Sequence, residues 1–230
     1  MATKREVLAT AGLAALAGIM LAETVRSELQ RSPETLHHEA PVRFEEWSRL
    51  LDLATPLMGD PSAAVHMVMF ADLECAACKL FHATVDSLIK EADADLLVSQ
   101  VHYPLSYHQS AHQAARGAEC AREFAGEDGF RRWVATIYAG QDSLGSTHWH
   151  SYATRAGLGV STDTFDDCIG SDRHDSRIAR DVAFGSRFSI SWSPQIVMNG
   201  WWFPTTPGVR DLPQIIRSLQ ETGRPILDGP

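Results

Sequence analysis

Apolar residues recur along this chain with two different periods, and the changes of period mark out its elements. Val65 to Ala71 is a continuous apolar run bounded by turn residues, which predicts a strand buried on both faces. From Cys75 to about Glu91 the period becomes helical, and Leu80, Phe81, Val85, Leu88 and Ile89 form one stripe. Leu96 to Tyr103 alternates and is rich in β-formers, so it predicts the next strand. Strand, helix and strand in that order begin a βαβ unit, and the carboxyl end of its first strand is where α/β folds place their sites. Ahead of this unit, Phe44, Trp47, Leu50, Leu51 and Leu57 stand at roughly helical spacing. They predict a short lead-in helix between Phe44 and Met58, closed by a turn at Gly59-Asp60-Pro61.

The middle of the chain carries only the helical period. Gln109 to Ala125 is alanine-rich and ends at Gly126, and Gly129 to Tyr138 continues as a second helix. Shorter helices are predicted over Thr147 to Arg155 and Asp163 to Ile169. Another runs from His174 to about Phe188, with Ile178, Val182 and Ala183 inward. No strand pattern interrupts the block, which reads as a helical insertion in an α/β domain. Period two then returns. Gln195 to Met198 is a strand, Asn199-Gly200 a hairpin turn and Trp201 to Phe203 the returning strand. The strand Trp201–Phe203 turns one of its two tryptophans to the core. Asp211 to Glu221 closes the pattern as an amphipathic helix with Leu212, Ile215, Ile216 and Leu219 inward.

The N-terminus follows a third pattern. Lys4 and Arg5 precede the apolar run Val7 to Ala22, which is broken only by Thr10. A basic start and an apolar stretch of that length, short of the roughly 20 residues that span a bilayer, read as an export signal or a signal anchor. Lys4-Arg5 also resembles a degenerate twin-arginine signal. The expected organisation is therefore residues 1–22 as signal, 23–60 as linker and lead-in helix, and 61–104 as the first α/β half. An inserted helical domain follows over 105–189, the second half over 190–222 and a tail over 223–230. The chain has 230 residues, 44% of them hydrophobic, and a formal net charge of −9. That balance suits a soluble globular protein and argues against a nucleic-acid partner.

Candidate chemistry sits where the first strand ends. In Asp72-Leu73-Glu74-Cys75-Ala76-Ala77-Cys78 a thiol pair straddles the start of a helix. Free backbone N–H groups and the helix dipole favour a thiolate at Cys75. Cys78 lies one turn on, on the same face, placed to resolve a mixed disulfide. A structural zinc site would need a second close pair of ligands, and Cys120 and Cys168 are isolated singles, so no metal is expected. With four cysteines and an export signal, Cys120 and Cys168 are free to pair. Further on, Pro194 directly precedes a strand. Spacing alone leaves Ser193-Pro194 open between a cis bond and an ordinary trans proline opening an edge strand. His108…His112 and His148-Trp149-His150 have ligand-like spacing, but no thiol or carboxylate completes either set. His108 reads as a helix-start residue and the others as surface.

Three segments resemble the DsbA-like thiol:disulfide oxidoreductases. They are Val68 to Lys79 with its acidic turn and Cys-x-x-Cys; Tyr103-Pro104-Leu105 followed by His108 and the alanine-rich helix through Ala121; and Ser193 to Gly200. The resemblance covers about Pro61 to Glu221. It implies a thioredoxin-like fold with a helical domain inserted between its βαβ and ββα halves. It implies Cys75 as nucleophile, Cys78 as resolving thiol, and a cis Pro194 that with Ser193 pairs with a substrate strand. It also implies a structural Cys120–Cys168 bridge, worth about 4 kcal/mol on the chain-entropy estimate. Two departures stand out. Family members commonly carry Pro, His or an aromatic between the cysteines, where this chain has Ala76 and Ala77. Cys75 is then expected to be acidic without reaching the extreme. A buried acid six residues before the first cysteine is replaced by Met69, which leaves Asp72 and Glu74 as candidates for a proton relay.

The function expected from this resemblance is an extracytoplasmic, monomeric oxidase of cysteines in exported proteins, recharged by a quinone-linked membrane oxidase and needing no bound cofactor. A reductase or isomerase using the same residues is the alternative in the same chemistry. A thioredoxin-fold chaperone or metal-delivery protein is the alternative outside it.

Overall fold

The computed structural model describes residues 40–227, apart from 92–93, 146–147 and 209. The apolar segment at residues 7–22 and nearly all of the linker lie outside the described residues. Among the described residues no helix is long and apolar enough to cross a membrane.

One six-stranded sheet organises the chain, in the order β1 (Val42–Arg43), β6 (Trp201–Phe203), β5 (Gln195–Met198), β3 (Val65–Ala71), β4 (Leu96–His102) and β2 (Thr55–Gly59). Only β3 and β4 run parallel, in the register Val65↔Leu96 to Ala71↔His102. They are joined through helix α2 (Ala76–Glu91). All other pairs are antiparallel. β3 has neighbours on both edges and is covered on both faces. Met67, Met69 and Ala71 face one core with Phe81 and Val85 of α2 and with Ile215 and Leu219 of the last helix, Leu212–Thr222. Val68 and Phe70 face a second core with Leu50 of α1 (Trp47–Leu53) and Phe184. That double burial is why the strand reads as an unbroken apolar run. The hairpin Asn199-Gly200 takes positive φ at both residues, 45° and 76°, as a tight antiparallel turn requires. The Asn199 side chain ties it to β3, accepting from His66 N at 2.8 Å and donating to Ala64 O at 3.0 Å.

Between β4 and β5 the described residues form helices and no strand: α3 (Ala111–Ala139), α4 (Trp149–Arg155), α5 (Thr162–Gly170) and α6 (Asp175–Ser186), with α7 (Leu212–Thr222) closing the fold. The long α3 is broken at Ala125 and Gly126, where Gly126 has φ 65° and ψ −161°, a conformation open to glycine. Its second half returns along its first: Trp133 Nε1 donates to Ala114 O at 3.0 Å. The alanines and Gly117 permit this approach, since a Cβ on Gly117 would lie 2.1 Å from the Trp133 ring. A disulfide joins Cys120 of α3 to Cys168 of α5, across 48 residues of chain, and both cysteines are fully buried.

Several expectations are corrected. The lead-in helix is confined to Trp47–Leu53, and Thr55–Gly59 forms an edge strand against β4. Val42–Arg43, read as linker, pairs with the tryptophans of β6. The sheet thus recruits two strands from what reads as lead-in. Leu80 is exposed and leaves the α2 stripe, and Ala183 is exposed on α6, whose inward residues are Ile178, Asp181, Phe184 and Gly185. Trp201 and Trp202 are both half-buried, on opposite faces of β6. Trp201 covers the end of α7, donating to Gly223 O at 2.9 Å.

A buried ionic network ties the insertion to the sheet. Glu119 of α3 is fully buried; its Oε1 lies 3.0 Å from His102 Nε2 and 2.8 Å from Arg177 Nε, and its Oε2 2.9 Å from Arg122 Nε. Burial pushes the carboxyl up, but His102, Arg177 and Arg122 overcome it and hold it at about 2, below its ordinary 4.5. A depressed folded-state value stabilises the fold above pH 4.5, and that contribution is lost as pH falls toward 2. Its size is about 3 kcal/mol. Urea unfolding of wild type between those limits is expected to show a steep loss of stability with falling pH. Glu119→Gln is expected to start less stable and to show a shallower loss. Equal slopes for the two proteins would overturn this assignment.

Candidate active site

The thiols stand where β3 ends and α2 begins. Asp72 O accepts from Cys75 N at 3.2 Å, closing the turn, and Cys75 O accepts the first helical bond, from Lys79 N at 3.1 Å. Cys75 retains 8% of its surface, whereas Cys78, inside the first turn, retains none. Both thiols are buried, and Cys75 is the one that keeps some surface. The two cysteines are free thiols.

The segment before β5 lies against them. The Ser193–Pro194 bond is cis. The Cys75 thiol donates to Ser193 O at 3.3 Å, across 118 residues of sequence. Pro194 O accepts from the Thr206 hydroxyl at 2.6 Å, which fixes the proline loop from its other side.

These surroundings divide the two sulfurs chemically. The Cys78 thiol, donating to Cys75, lowers the Cys75 thiol to about 5 against the opposing effect of burial; the Ser193 hydroxyl and the backbone N–H groups of Cys78 and Ala77 add to it. Burial pushes Cys78 well above its ordinary value, and its neighbouring Cys75 thiolate pushes it further. With alanine at both intervening positions, the acidity of Cys75 comes from the helix start, its partner thiol and Ser193. Met69, at the place of the missing acid, is buried among apolar side chains.

Asp72 and Glu74 act on the loops. Asp72 is buried; its Oδ1 accepts from Glu74 N at 2.7 Å, and its Oδ2 accepts from Leu105 N at 2.7 Å and pairs with His108 Nδ1 at 2.8 Å. Glu74 Oε2 accepts from Ser110 N at 2.6 Å, at the start of α3. The acidic turn thus clasps the loop that enters the helical insertion, and His108 is its partner there. The far end of α3 reaches the same loop. The buried Tyr138 hydroxyl lies 3.5 Å from Asp72 O, and Gln141, in the 3-10 turn Gln141–Ser143, donates to Leu73 O and Cys75 O. The sequence pattern singled out neither residue. Tyr138 appears there as the last residue of a helix, and Gln141 as one polar residue after a glycine.

Among the described residues the single grouping with metal-like spacing is Cys120, Cys168 and His174, and both of its sulfurs are in the disulfide. His148 and His150 stack on each other at the surface, and His150 pairs with Asp166.

The family model described as Thioredoxin matches residues 51–217. Among solved structures, BdbD from Bacillus subtilis, in its oxidised form, superposes with a TM-score of 0.65 at 15% identity, covering 79% of this chain and 98% of that one. The DsbA2 structure from Pseudomonas aeruginosa superposes with a TM-score of 0.53 at 23% identity, covering 64% and 80%. Among curated proteins, the Na(+)/H(+) antiporter NhaA 1 of Mycolicibacterium gilvum is 28% identical over 167 residues, which is 72% of this chain. The chain spans about a quarter, 26%, of the length of that relative. The matched family model takes in the thiol loop, the helical insertion and the proline loop together, on a fold shared with DsbA proteins: the chain belongs to the thioredoxin family.

Proposed function

We propose that this protein is a thiol:disulfide oxidoreductase that oxidises cysteines of exported proteins. The observation that carries the reading is the placement of one acidic sulfur, that of Cys75, at a helix start beside the Ser193 carbonyl, with Cys78 more deeply buried. In the oxidising direction Cys75 and Cys78 begin as a disulfide. A substrate thiolate attacks the Cys75 sulfur, and the electron pair of the broken S–S bond goes to Cys78, which takes up a proton. The substrate strand lies along Ser193 and Pro194, paired with the backbone of Ser193. A second substrate thiolate then attacks the substrate sulfur of the mixed disulfide. It leaves with a substrate disulfide, and Cys75 departs as a stabilised thiolate. An acidic leaving group departs readily, which favours oxidation of the substrate.

Return of the disulfide needs an acceptor for two electrons, which the DsbA likeness suggests is a quinone-linked membrane oxidase. Asp72, the candidate to relay the proton that Cys78 gains and loses, pairs with His108 Nδ1 at 2.8 Å, and the His108 side chain is 23% exposed. Glu74, the other candidate, accepts from Ser110 N at 2.6 Å. Residues 7–22 would deliver the protein outside the cytoplasm as a monomer. Ion transport belongs to the antiporters named above and is not part of this reading.

The deciding measurement is the redox potential of the Cys75–Cys78 pair in glutathione buffers. A cysteine held at about 5 lies between the values of about 7 for thioredoxin and about 3.5 for DsbA. The potential is accordingly expected to be more oxidising than the roughly −270 mV of thioredoxin. A value at or below thioredoxin's would sink the oxidase direction and leave a reductase.

A further inference from the structure

Gln141 stands where α3 gives way to its terminal 3-10 turn, 66 residues along the chain from Cys75. It is buried, and its Nε2 donates to Leu73 O at 2.9 Å and to Cys75 O at 3.1 Å. A primary amide has two N–H donors, and both are spent here on carbonyls two residues apart. Those carbonyls bracket the last backbone before α2, so one side chain holds the Leu73–Glu74 and Cys75–Ala76 peptide planes. The same backbone decides where the Cys75 sulfur lies relative to the amides of Ala77 and Cys78 and to Ser193 O. Lys79 of α2 and Asp142 form an ion pair beside this contact at 3.6 Å, so α2 and the turn meet at two adjacent points.

We propose that Gln141 is a positioning residue for disulfide exchange, which sets the reactivity of the Cys75 sulfur from the inserted helical region by holding the carbonyls of Leu73 and Cys75. The inference rests on the thiol-exchange reading of the site and adds a control point outside the Cys-x-x-Cys loop. Two physical effects act in the same direction. The amide draws the negative ends of two carbonyl dipoles toward the insertion, and its own positive end lies close to the sulfur-bearing residue. Removing it takes this donor from Leu73 O, leaves Cys75 O to Lys79 N alone and withdraws a positive end from beside the loop, and these changes disfavour a thiolate.

The test is a pH titration of thiolate absorbance on the reduced protein, with thermal unfolding in parallel. For Gln141→Ala the Cys75 midpoint is expected to rise by about one unit, and the equilibrium with glutathione to move about tenfold toward the disulfide. Gln141→Glu keeps the size and replaces the donor with an acceptor, and is expected to shift both further. Arg116→Ala removes the ion pair to Asp175 at the other end of α3; it is expected to lower the melting temperature and leave the titration in place. If Gln141→Ala does not fold, Gln141→Asn, which withdraws the amide by one methylene, is read in its stead. Wild-type titration curves in Gln141→Ala and Gln141→Glu alongside lowered melting temperatures would overturn the proposal and leave a structural clamp. The titration involves no substrate, so a protein that failed as an oxidase would still report the shift.

Discussion

Cys78→Ser is expected to accumulate a stable adduct on Cys75 when mixed with glutathione disulfide, and Cys75→Ser is expected to form almost none. In the wild type at pH 7 a thiol held at about 5 is about 99% ionised, and one above 9.0 is under about 1% ionised; serine at position 78 keeps a hydroxyl that can donate to Cys75 in place of the thiol. That is roughly a hundredfold difference in nucleophile before access is counted. Access acts in the same sense, since Cys75 keeps 8% of its surface and Cys78 none. In Cys78→Ser the glutathione–Cys75 disulfide forms and has no second thiol to resolve it. In Cys75→Ser the remaining sulfur is buried and protonated. Both variants are expected to lose catalysed disulfide transfer to a peptide dithiol. Intact-mass analysis reads the adduct directly. Equal adduct formation on the two variants would refute the division of roles between the sulfurs.

The second large effect lies away from the site. Replacing Cys120 and Cys168 together by alanine removes a bridge across 48 residues. Loop closure over that length is worth about 4 kcal/mol, a large part of what a domain has in hand. Both sulfurs sit in the core that holds Phe130, Trp133 and Phe165, so their loss also removes packing there. The double variant is expected to melt well below wild type in urea. Its Cys75 titration is expected to stay in place, because the bridge joins α3 to α5 and the redox loop is held from the ends of α3. An unchanged denaturation midpoint would show that the bridge adds no stability.

What was legible in the sequence follows from how far each residue's environment is set by its neighbours in the chain. Val65–Ala71 and Gln195–Met198 stand out because a strand covered on both faces is mostly apolar, with His66 and Gln195 the exceptions. The break at Gly126 and the turn at Asn199-Gly200 stood out because each needs a positive φ. The edge strands did not. Thr55–Gly59 contains Pro56, tolerated only because the strand lies at the sheet edge, and its Leu57 continues the spacing of the preceding helix. Val42–Arg43 is too short to carry a period. The same limit applies at the site. Cys75, Cys78 and the Ser193-Pro194 pair announce themselves by local pattern and by family resemblance. Gln141 and Tyr138 reach the loop across more than sixty residues, and one glutamine after a glycine carries no mark of what it will touch.

The central position of β3 has a consequence for how the site breathes. Its amides are tied to β4 on one edge and β5 on the other, beneath two cores. Such a strand is the last to exchange its protons with solvent, and it does so only when the whole domain opens. Where Gln141 meets the loop the ties are two hydrogen bonds, which break in smaller excursions. A detachment of that kind would release Gln141 from its carbonyls while the Cys75–Cys78 loop stayed anchored to its strand. Local opening of the outer helices would then be a change in the chemistry of the thiol pair without being a loss of it.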